Sequence, residues 1–183
     1  MKKLETFYPA FKLTFMVVLS VVTLSFVQRA TEGPISEQAR IRERQQIALL
    51  LPGAEIIENI DITDDAIIRY ARVLSGSGEF LGYAVTSFDF GYGGAIEVMT
   101  AFESQKNIVG VSVLSHRETP GLGTGILTER FLSQFLAPVD NFTVVRGASN
   151  SPDEITALAS ATISTRAVVV AVNAAKNFMT GLD

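Results

Sequence analysis

An uncharged apolar run near the N-terminus is the feature that most constrains this chain. Leu13 to Val27 reads LTFMVVLSVVTLSFV, and no charged residue interrupts it. Extended through Phe11 and Ala30, the run approaches the roughly 17–20 residues that a helix needs to cross about 30 Å of hydrocarbon. A segment of this kind is either a retained membrane anchor or a cleaved signal peptide.

The flanking residues favour the retained anchor. The apolar run is long for a signal peptide, and Gln28 to Glu32 contains no clean small-x-small cleavage pattern. Because Lys2, Lys3 and Lys12 precede the span, the positive-inside rule predicts a cytoplasmic N-terminus and an extracytoplasmic, periplasmic main domain. The arginines after the span count against this orientation: Arg29, Arg40, Arg42 and Arg44. We therefore expect a single-pass protein of the cell (inner) membrane, in contact with the lipid bilayer.

The composition excludes several classes of function. With a net charge of −4, the chain has no basic face with which to grip nucleic acid, so we expect no nucleic-acid partner. The absence of cysteine excludes disulfides, thiolate metal sites and cysteine catalysis by this chain. A single histidine argues against a zinc or haem site built by the protein, and we predict no metal site.

Proline and glycine divide the chain into three predicted parts. Residues 1–31 form a cytoplasmic tip and membrane anchor, 32–53 a connecting helix, and 54–183 the main domain. Pro34 suits the first turn of the connecting helix, and Pro52-Gly53 would end it.

From Ala66 onward the pattern indicates β-strands. Four segments rich in β-branched and aromatic residues have strand lengths, with turn-forming residues between them: IIRYARV, FLGYAVTSFDF, AIEVMTAF and NIVGVSVLS. We predict an antiparallel meander, a short amphipathic helix over Thr128–Leu136 and one more strand in NFTVVRG. Thr165–Met179 contains a valine run, but its length and alanines favour a buried helix. The predicted fold is α+β: a single N-terminal transmembrane helix, then an extracytoplasmic domain in which helices pack on an antiparallel sheet.

A glycine-rich segment, His116 to Gly125, follows the last strand of the meander. Pro120-Gly121 favours a tight turn, and the glycines allow backbone to press against a flat ligand. An ordinary glycine-rich connection explains the same pattern equally well. Glu118 can accept a hydrogen bond from a ligand N–H or cap a local backbone group, and His116 alone does not indicate catalysis.

Hydroxyl residues crowd the start of the last helix. A helix N-terminus has unpaired N–H groups and a partial positive charge, which favour a phosphate. Ser164 or Thr165 is the expected N-cap, which leaves Ser160 and Thr162 without a role. Arg166 is a further candidate contact to a phosphate. The residues alone slightly favour a simpler interpretation, a Ser/Thr-rich turn before a core helix.

The two segments together resemble a known family. RETPGLG followed by ASATISTRAV is similar to the FMN-binding domain of the G subunit of the Rnf electron-transport complex. It is also similar to the related C subunit of the sodium-pumping NADH:quinone reductase. The family's flavinylation motif, Ser/Thr-Gly-Ala-Thr-x-Ser/Thr, is matched from Ala161 to Ser164. Ala159 and Ser160 depart from it, because they stand where the family usually has Ser/Thr and Gly. The glycine-interrupted strand pair and the single N-terminal span are similar too, so the resemblance covers nearly the whole chain.

The resemblance implies a cofactor and a set of residues that bind it. FMN would be joined covalently, through a phosphoester, to Thr162. The implied cofactor-binding residues are Thr162, Ala161, Ile163, Ser164, Thr165, Glu118, Thr119, Gly121, Leu122 and Gly123. No catalytic residue is implied, since the flavin carries the redox chemistry.

The implied role is electron transfer in a membrane-bound, ion-translocating ferredoxin:NAD oxidoreductase. The chain would be a redox subunit of this translocase, without independent catalytic activity. Its partners would be the other subunits of the complex, including multi-span membrane subunits, and a flavin transferase for maturation. Four alternatives stay open: a C-subunit-like protein of the sodium-pumping reductase, an exported FMN-binding module of another reductase or regulatory system, an anchored binding or scaffold domain without flavin, and a ligand sensor with a cleaved leader.

Overall fold

The N-terminal part of the chain is one long helix. The computed structural model describes residues 2–60, 62 and 64–182, apart from the side chains of residues 2–7, 32 and 34–36. Helix α1 spans Lys2–Leu50 and is continuous where the sequence predicted a separate connecting helix. The side chains of Lys2, Lys3 and Pro34, used in the predictions above, lie outside the described set.

Within α1, the segment Tyr8–Thr31 meets the requirements for a membrane span. It has 24 residues and a mean hydropathy of 2.1, and no part of its apolar window is buried. By length and composition it can cross a bilayer, and a signal sequence near the N-terminus meets the same requirements. The chain divides into two compact units, residues 1–42 and 43–183. The predicted boundaries at residues 31 and 53 remain predictions.

A five-stranded antiparallel sheet dominates the second unit. Its strands follow chain order: β1 (Ala54–Ile60), β2 (Ile67–Ser75), β3 (Phe80–Phe90), β4 (Ala95–Glu103) and β5 (Ile108–Ser115). The predicted meander is thus present in β2 to β5, while β1 was not predicted. Each strand pairs with its neighbour in an antiparallel register, with irregular steps in the β1–β2, β2–β3 and β4–β5 pairs.

Short elements follow the sheet and lead to the last helix. A 3-10 turn covers Gly123–Leu127, helix α2 covers Glu129–Leu132 and a second 3-10 turn covers Ser133–Leu136. Strands β6 (Thr143–Val145) and β7 (Glu154–Thr156) form a small parallel pair, and β7 was not predicted. Helix α3 spans Thr162–Thr180, so it begins three residues before the predicted start.

Both faces of the five-stranded sheet are covered, which explains the long apolar runs in its central strands. On one face, Ile96 and Val98 of β4 lie in a core with Val168 and Val172 of α3. On the other face, Met99 and Ala101 of β4 belong to a second cluster, which includes residues from the end of α1. This cluster contains Ile47, Leu51, Val73, Ala84, Met99 and Ala101. Because successive side chains of a strand point to opposite faces, a sheet covered on both sides has strands that are apolar at nearly every position.

A buried hydrogen bond fixes α3 on the sheet. Ser87 Oγ of β3 donates to the carbonyl oxygen of Ala171 at 2.7 Å, and Ser87 is fully buried. The bond satisfies a hydroxyl that would otherwise be costly to bury. It therefore sets the position of α3 along β3, and with it the position of the helix start.

Candidate functional site

A pocket of about 380 Å³ lies between the segment after β5 and the start of α3. Its size is within the range of small-molecule sites. Glycine-rich backbone and helix residues form its wall, which consists of Tyr92, Glu118, Thr119, Leu122, Gly123, Ser160, Ala161, Thr162, Ile163 and Ser164. The fold thus brings the two segments singled out in the sequence, some forty residues apart, to one cavity.

Glu118 is the buried charged group of this pocket. The residue is 6% exposed, and its two carboxylate oxygens accept different hydrogen bonds. Oε1 accepts from the N–H of Gly93 at 3.0 Å, and Oε2 accepts from Ser164 Oγ at 2.7 Å. Among the described residues, no Lys, Arg or His nitrogen lies within 4.0 Å of this carboxylate. The two hydrogen bonds, and any donor in the pocket, therefore supply its stabilisation.

Two glycines, Gly91 and Gly123, make room for the Glu118 side chain, and Gly93 makes room for the backbone before it. A Cβ on Gly123 would lie 2.5 Å from Glu118 Oε2 and 2.6 Å from Glu118 Cβ. A Cβ on Gly91 would collide with Glu118 Oε1, and one on Gly93 would collide with the carbonyl oxygen of Arg117. The glycines between β3 and β4 and those after β5 thus serve one close packing arrangement.

The hydroxyls at the start of α3 divide into engaged and free ones. Ser164 is bound to Glu118, while Thr165 Oγ1 donates to the Ala161 carbonyl at 3.0 Å and accepts from the Leu158 N–H at 3.1 Å. The expectation that Ser164 or Thr165 is the N-cap is therefore wrong. The residue at the cap position is Ala161, without a side-chain hydrogen bond, because the helix begins at Thr162 and so places Ser164 and Thr165 inside its first turn. There Ser164 makes a tertiary hydrogen bond to Glu118, while Thr165 makes local hydrogen bonds to the backbone of Ala161 and Leu158.

Thr162 is the hydroxyl residue of the first turn that keeps its side chain free. It is the first residue of α3, it is half-buried, and it lines the pocket. Within the described part of the chain its hydroxyl makes no hydrogen bond, in contrast to Ser164 and Thr165. The first N–H groups of a helix also have no intrahelical partner. This place therefore offers a free hydroxyl beside free N–H donors.

Ser160, two residues earlier, has an uncommon backbone conformation. Its φ is +63°, in the left-handed region that a non-glycine residue enters at a cost of roughly 1–2 kcal/mol. This conformation directs the chain into α3. Ser160 is also the position at which the family usually has a glycine. The serine is therefore held in a glycine-type conformation.

A second cleft, of about 670 Å³, adjoins the same residues. Ser160 and Thr162 line both cavities, and the second also contains Arg130 and Arg146. Sequence reasoning missed these two arginines and proposed Arg166 instead. Arg166 is exposed on α3 and lies in the lining of neither cavity. The sequence carries no signal for Arg130 and Arg146, since α2 and the end of β6 meet the start of α3 only in the folded chain.

Most of the residues expected to bind the cofactor lie in the pocket wall. Gly121 and Thr165 do not: Gly121 takes a turn conformation at φ +80°, and Thr165 is buried behind the wall. Tyr92 was missed, although it lies in the glycine-rich turn between β3 and β4, and it is 76% exposed in the pocket wall. Nδ1 of His116 accepts a hydrogen bond from the backbone N–H of Glu118 at 3.2 Å. This bond gives His116 a local structural role.

Comparison with known proteins identifies the class of the domain. Residues 91–177 match the family described as FMN-binding domain, a stretch that includes Glu118, Thr162 and the whole pocket wall. The second unit is an α+β domain, and its part from β4 to α3 matches the FMN-binding class.

Relatives over the whole chain narrow this class to a family. The G subunit of the ion-translocating oxidoreductase complex of Methanosarcina acetivorans is 31% identical, over 92% of this chain and 93% of its own. The G subunit of the proton-translocating ferredoxin:NAD(+) oxidoreductase complex of Clostridium ljungdahlii is 38% identical, over 89% and 85%. The chain belongs to the family of G subunits of ion-translocating oxidoreductase complexes. The resemblance stated from the sequence is confirmed.

Among solved structures, NqrC from Shewanella oneidensis is similar in part. The TM-score is 0.48 with 22% sequence identity, covering 66% of this chain and 62% of that one.

Proposed function

We propose that this chain carries FMN, covalently bound through a phosphoester to Thr162, and relays electrons between subunits of an ion-translocating ferredoxin:NAD oxidoreductase complex. The observation that carries the proposal is the free hydroxyl of Thr162 at the edge of the pocket, beside two hydroxyls that are already engaged. The match of residues 91–177 to the FMN-binding domain supports FMN as the ligand.

The chemistry of the pocket fits a flavin. Leu122 and Ile163 are each 54% exposed, so their apolar side chains are available to cover a flat ring. Glu118 presents carboxylate oxygens to a ring N–H, and the free N–H groups at the start of α3 suit a phosphate. The Thr162 hydroxyl would lose its proton when its oxygen bonds to phosphorus. A flavin transferase would supply the flavin phosphate as one half of a phosphoanhydride, whose P–O–P bond breaks as the threonine ester forms. The second phosphate leaves with its substituent as a phosphate monoester, and a base of the transferase takes the hydroxyl proton.

In this role the chain is a binding and positioning subunit. Bound FMN supplies reversible electron uptake and release, and the protein holds it, orients it and limits its exposure to water. Tyr92 lies in the pocket wall and is largely exposed, so an electron partner can approach the ring on this side. Covalent attachment would prevent loss of the cofactor on a side of the membrane where it is not replenished.

The apolar helix and the membership in a family of ion-translocating complexes indicate membrane attachment. We further propose that the N-terminus is cytoplasmic and that the FMN domain is extracytoplasmic. Its partners would be the remaining subunits of the complex, including those with several spans, together with the transferase that attaches the flavin. The relatives favour the G-subunit role over that of the sodium-pumping reductase's C subunit.

Intact-mass measurement of the purified full chain tests the covalent bond. Co-expression with a flavin transferase should add the mass of one FMN phosphodiester, and the yellow colour should persist after denaturation. Thr162→Val should abolish the adduct, whereas Thr162→Ser, which keeps a hydroxyl, should retain it. Equal adduct on Thr162→Val and wild type would place the bond elsewhere. A chain that stays unmodified under these conditions would instead support the anchored domain without covalent flavin.

A further inference from the structure

Two arginines in the second cleft lack a counter-charge. The cleft that contains Arg130, Arg146, Ser149, Ser160 and Thr162, called the arginine cleft here, has no carboxylate in its described lining. No Asp or Glu oxygen in the described chain lies within 4.0 Å of either guanidinium. Two neighbouring positive groups with no acidic partner repel each other and favour an anion.

The arginine cleft and the apolar pocket meet at Thr162. One cavity has the apolar side chains of Leu122 and Ile163 beside the hydrogen-bonded Glu118 carboxylate, while the other has two cations, and Ser160 and Thr162 line both. The two cavities thus form one site with an apolar half and a cationic half. A ligand with a flat apolar ring and an anionic end, joined near Thr162, matches this division.

We propose that Arg130 and Arg146 form a phosphate subsite that binds the phosphate of the flavin before and after its attachment at Thr162. The inference rests on the proposed flavin function and adds to it the residues that select a phosphorylated flavin. Arginine suits this task because its guanidinium donates paired hydrogen bonds to phosphate oxygens. Both side chains are exposed, so their effect is screened by salt.

Non-covalent binding to the full chain in detergent, prepared without a flavin transferase, tests the subsite. The probes are FMN and riboflavin, which differ only in the phosphate, and quenching of flavin fluorescence gives each Kd. For the wild type we expect FMN to bind about tenfold more tightly than riboflavin. For the double variant R130Q/R146Q the ratio should fall to about one, with the Kd for riboflavin unchanged. Raising the salt from about 0.05 M to about 0.5 M should lower the wild-type ratio.

Arg166→Gln is the matched control. It removes one exposed arginine from α3, outside both cavities, and should leave the ratio of the two Kd values unchanged. Thermal unfolding of all variants checks that the exposed substitutions leave the fold intact. A ratio that falls equally in R166Q and in the double variant would indicate general charge attraction and overturn the subsite.

The remaining outcomes separate the subsite from the flavin function. If riboflavin and FMN bind equally well to the wild type, the subsite is wrong and the flavin pocket stands. If neither flavin binds without the transferase, the intact-mass experiment decides the proposed function, and titration of the same proteins with inorganic phosphate, followed by phosphorus NMR line broadening, decides the subsite alone. Broadening by the wild type and not by R130Q/R146Q would support it, and equal broadening by both would overturn it.

Discussion

Ser164 donates its hydroxyl proton to the carboxylate of Glu118 across 2.7 Å, and both side chains are buried. The two residues are 46 positions apart, one in the segment after β5 and the other in the first turn of α3. Their contact joins the two walls of the pocket. It also orients Ser164 so that its oxygen lone pairs, rather than its proton, are left for a ligand.

A double-mutant cycle measures this contact. Glu118→Gln and Ser164→Ala should each weaken non-covalent FMN binding, because a hydrogen bond to a charged group contributes about 1.5–3 kcal/mol. The double variant should lose less than the sum of the single losses, with a coupling of about 0.5–3 kcal/mol. Fluorescence titration with FMN gives the four affinities. Additive losses would show that the two side chains act independently on the ligand.

Gly123→Ala tests the packing around Glu118. The new methyl would overlap the Glu118 side chain, so we expect an unfolding free energy lower by about 1–3 kcal/mol and weaker FMN binding. Gly125→Ala is the matched control, because its methyl would meet only the flexible end of Leu158, at 3.0 Å. Urea unfolding and FMN titration of both variants provide the comparison. Similar losses in the two would mean that the effect arises from the backbone of the turn rather than from Glu118.

Ser160→Gly tests the left-handed conformation before α3. Glycine adopts φ +63° without steric cost but loses more entropy on folding, so the net gain should be at most about 1 kcal/mol. Ala159→Gly, one residue earlier and without positive φ, should destabilise the chain by about 0.5–1 kcal/mol. Denaturant midpoints at constant m-value give both changes. A loss of stability in Ser160→Gly would contradict the strain assigned to Ser160.

Tyr70 gives a prediction about alkaline pH. Burial, followed by the neighbouring Tyr83, raises the pKa of Tyr70 above the ordinary value of 10.0. In the unfolded chain the phenol ionises near pH 10, while in the folded chain it stays neutral to higher pH. Stability should therefore be unaffected below about pH 10 and fall as pH rises from there toward the folded-state pKa. Tyr70→Phe should show a shallower fall in the unfolding free energy over this range, and parallel curves would contradict the assignment.

The elements predicted from the sequence are those with a strong local pattern. β2 to β5 carry long apolar segments separated by turn residues, and these segments appear as strands. β1 was missed because AEIIENI is charged and mostly exposed as an edge strand. β7 has only three residues, and its pairing with β6 depends on how the chain returns from a loop. The early start of α3 was missed because its cap position has an alanine rather than a hydroxyl.

The site residues that lie in short sequence motifs could be predicted from the sequence. The residues and contacts that come together only through the tertiary fold could not. Glu118 and Thr162 stand in segments that the family resemblance, rather than their composition, marked as ligand-binding, and the structure places both in one pocket wall. The roles of the hydroxyls were not predictable, because Thr165 is engaged by the Leu158 backbone and Ser164 by a distant carboxylate. Arg130 and Arg146 carry no local signal, since they share a cleft only through tertiary contacts.

The bond from Ser87 to Ala171 joins residues 84 positions apart, and it has a kinetic consequence. The hairpins of the meander need only short loop closures, whereas docking of α3 needs a long one, which slows folding. Glu118 and Ser164 meet only when that docking is complete. Flavin binding should therefore begin later than strand formation during refolding. The rate at which flavin fluorescence is quenched would then report the rate at which α3 docks on the sheet.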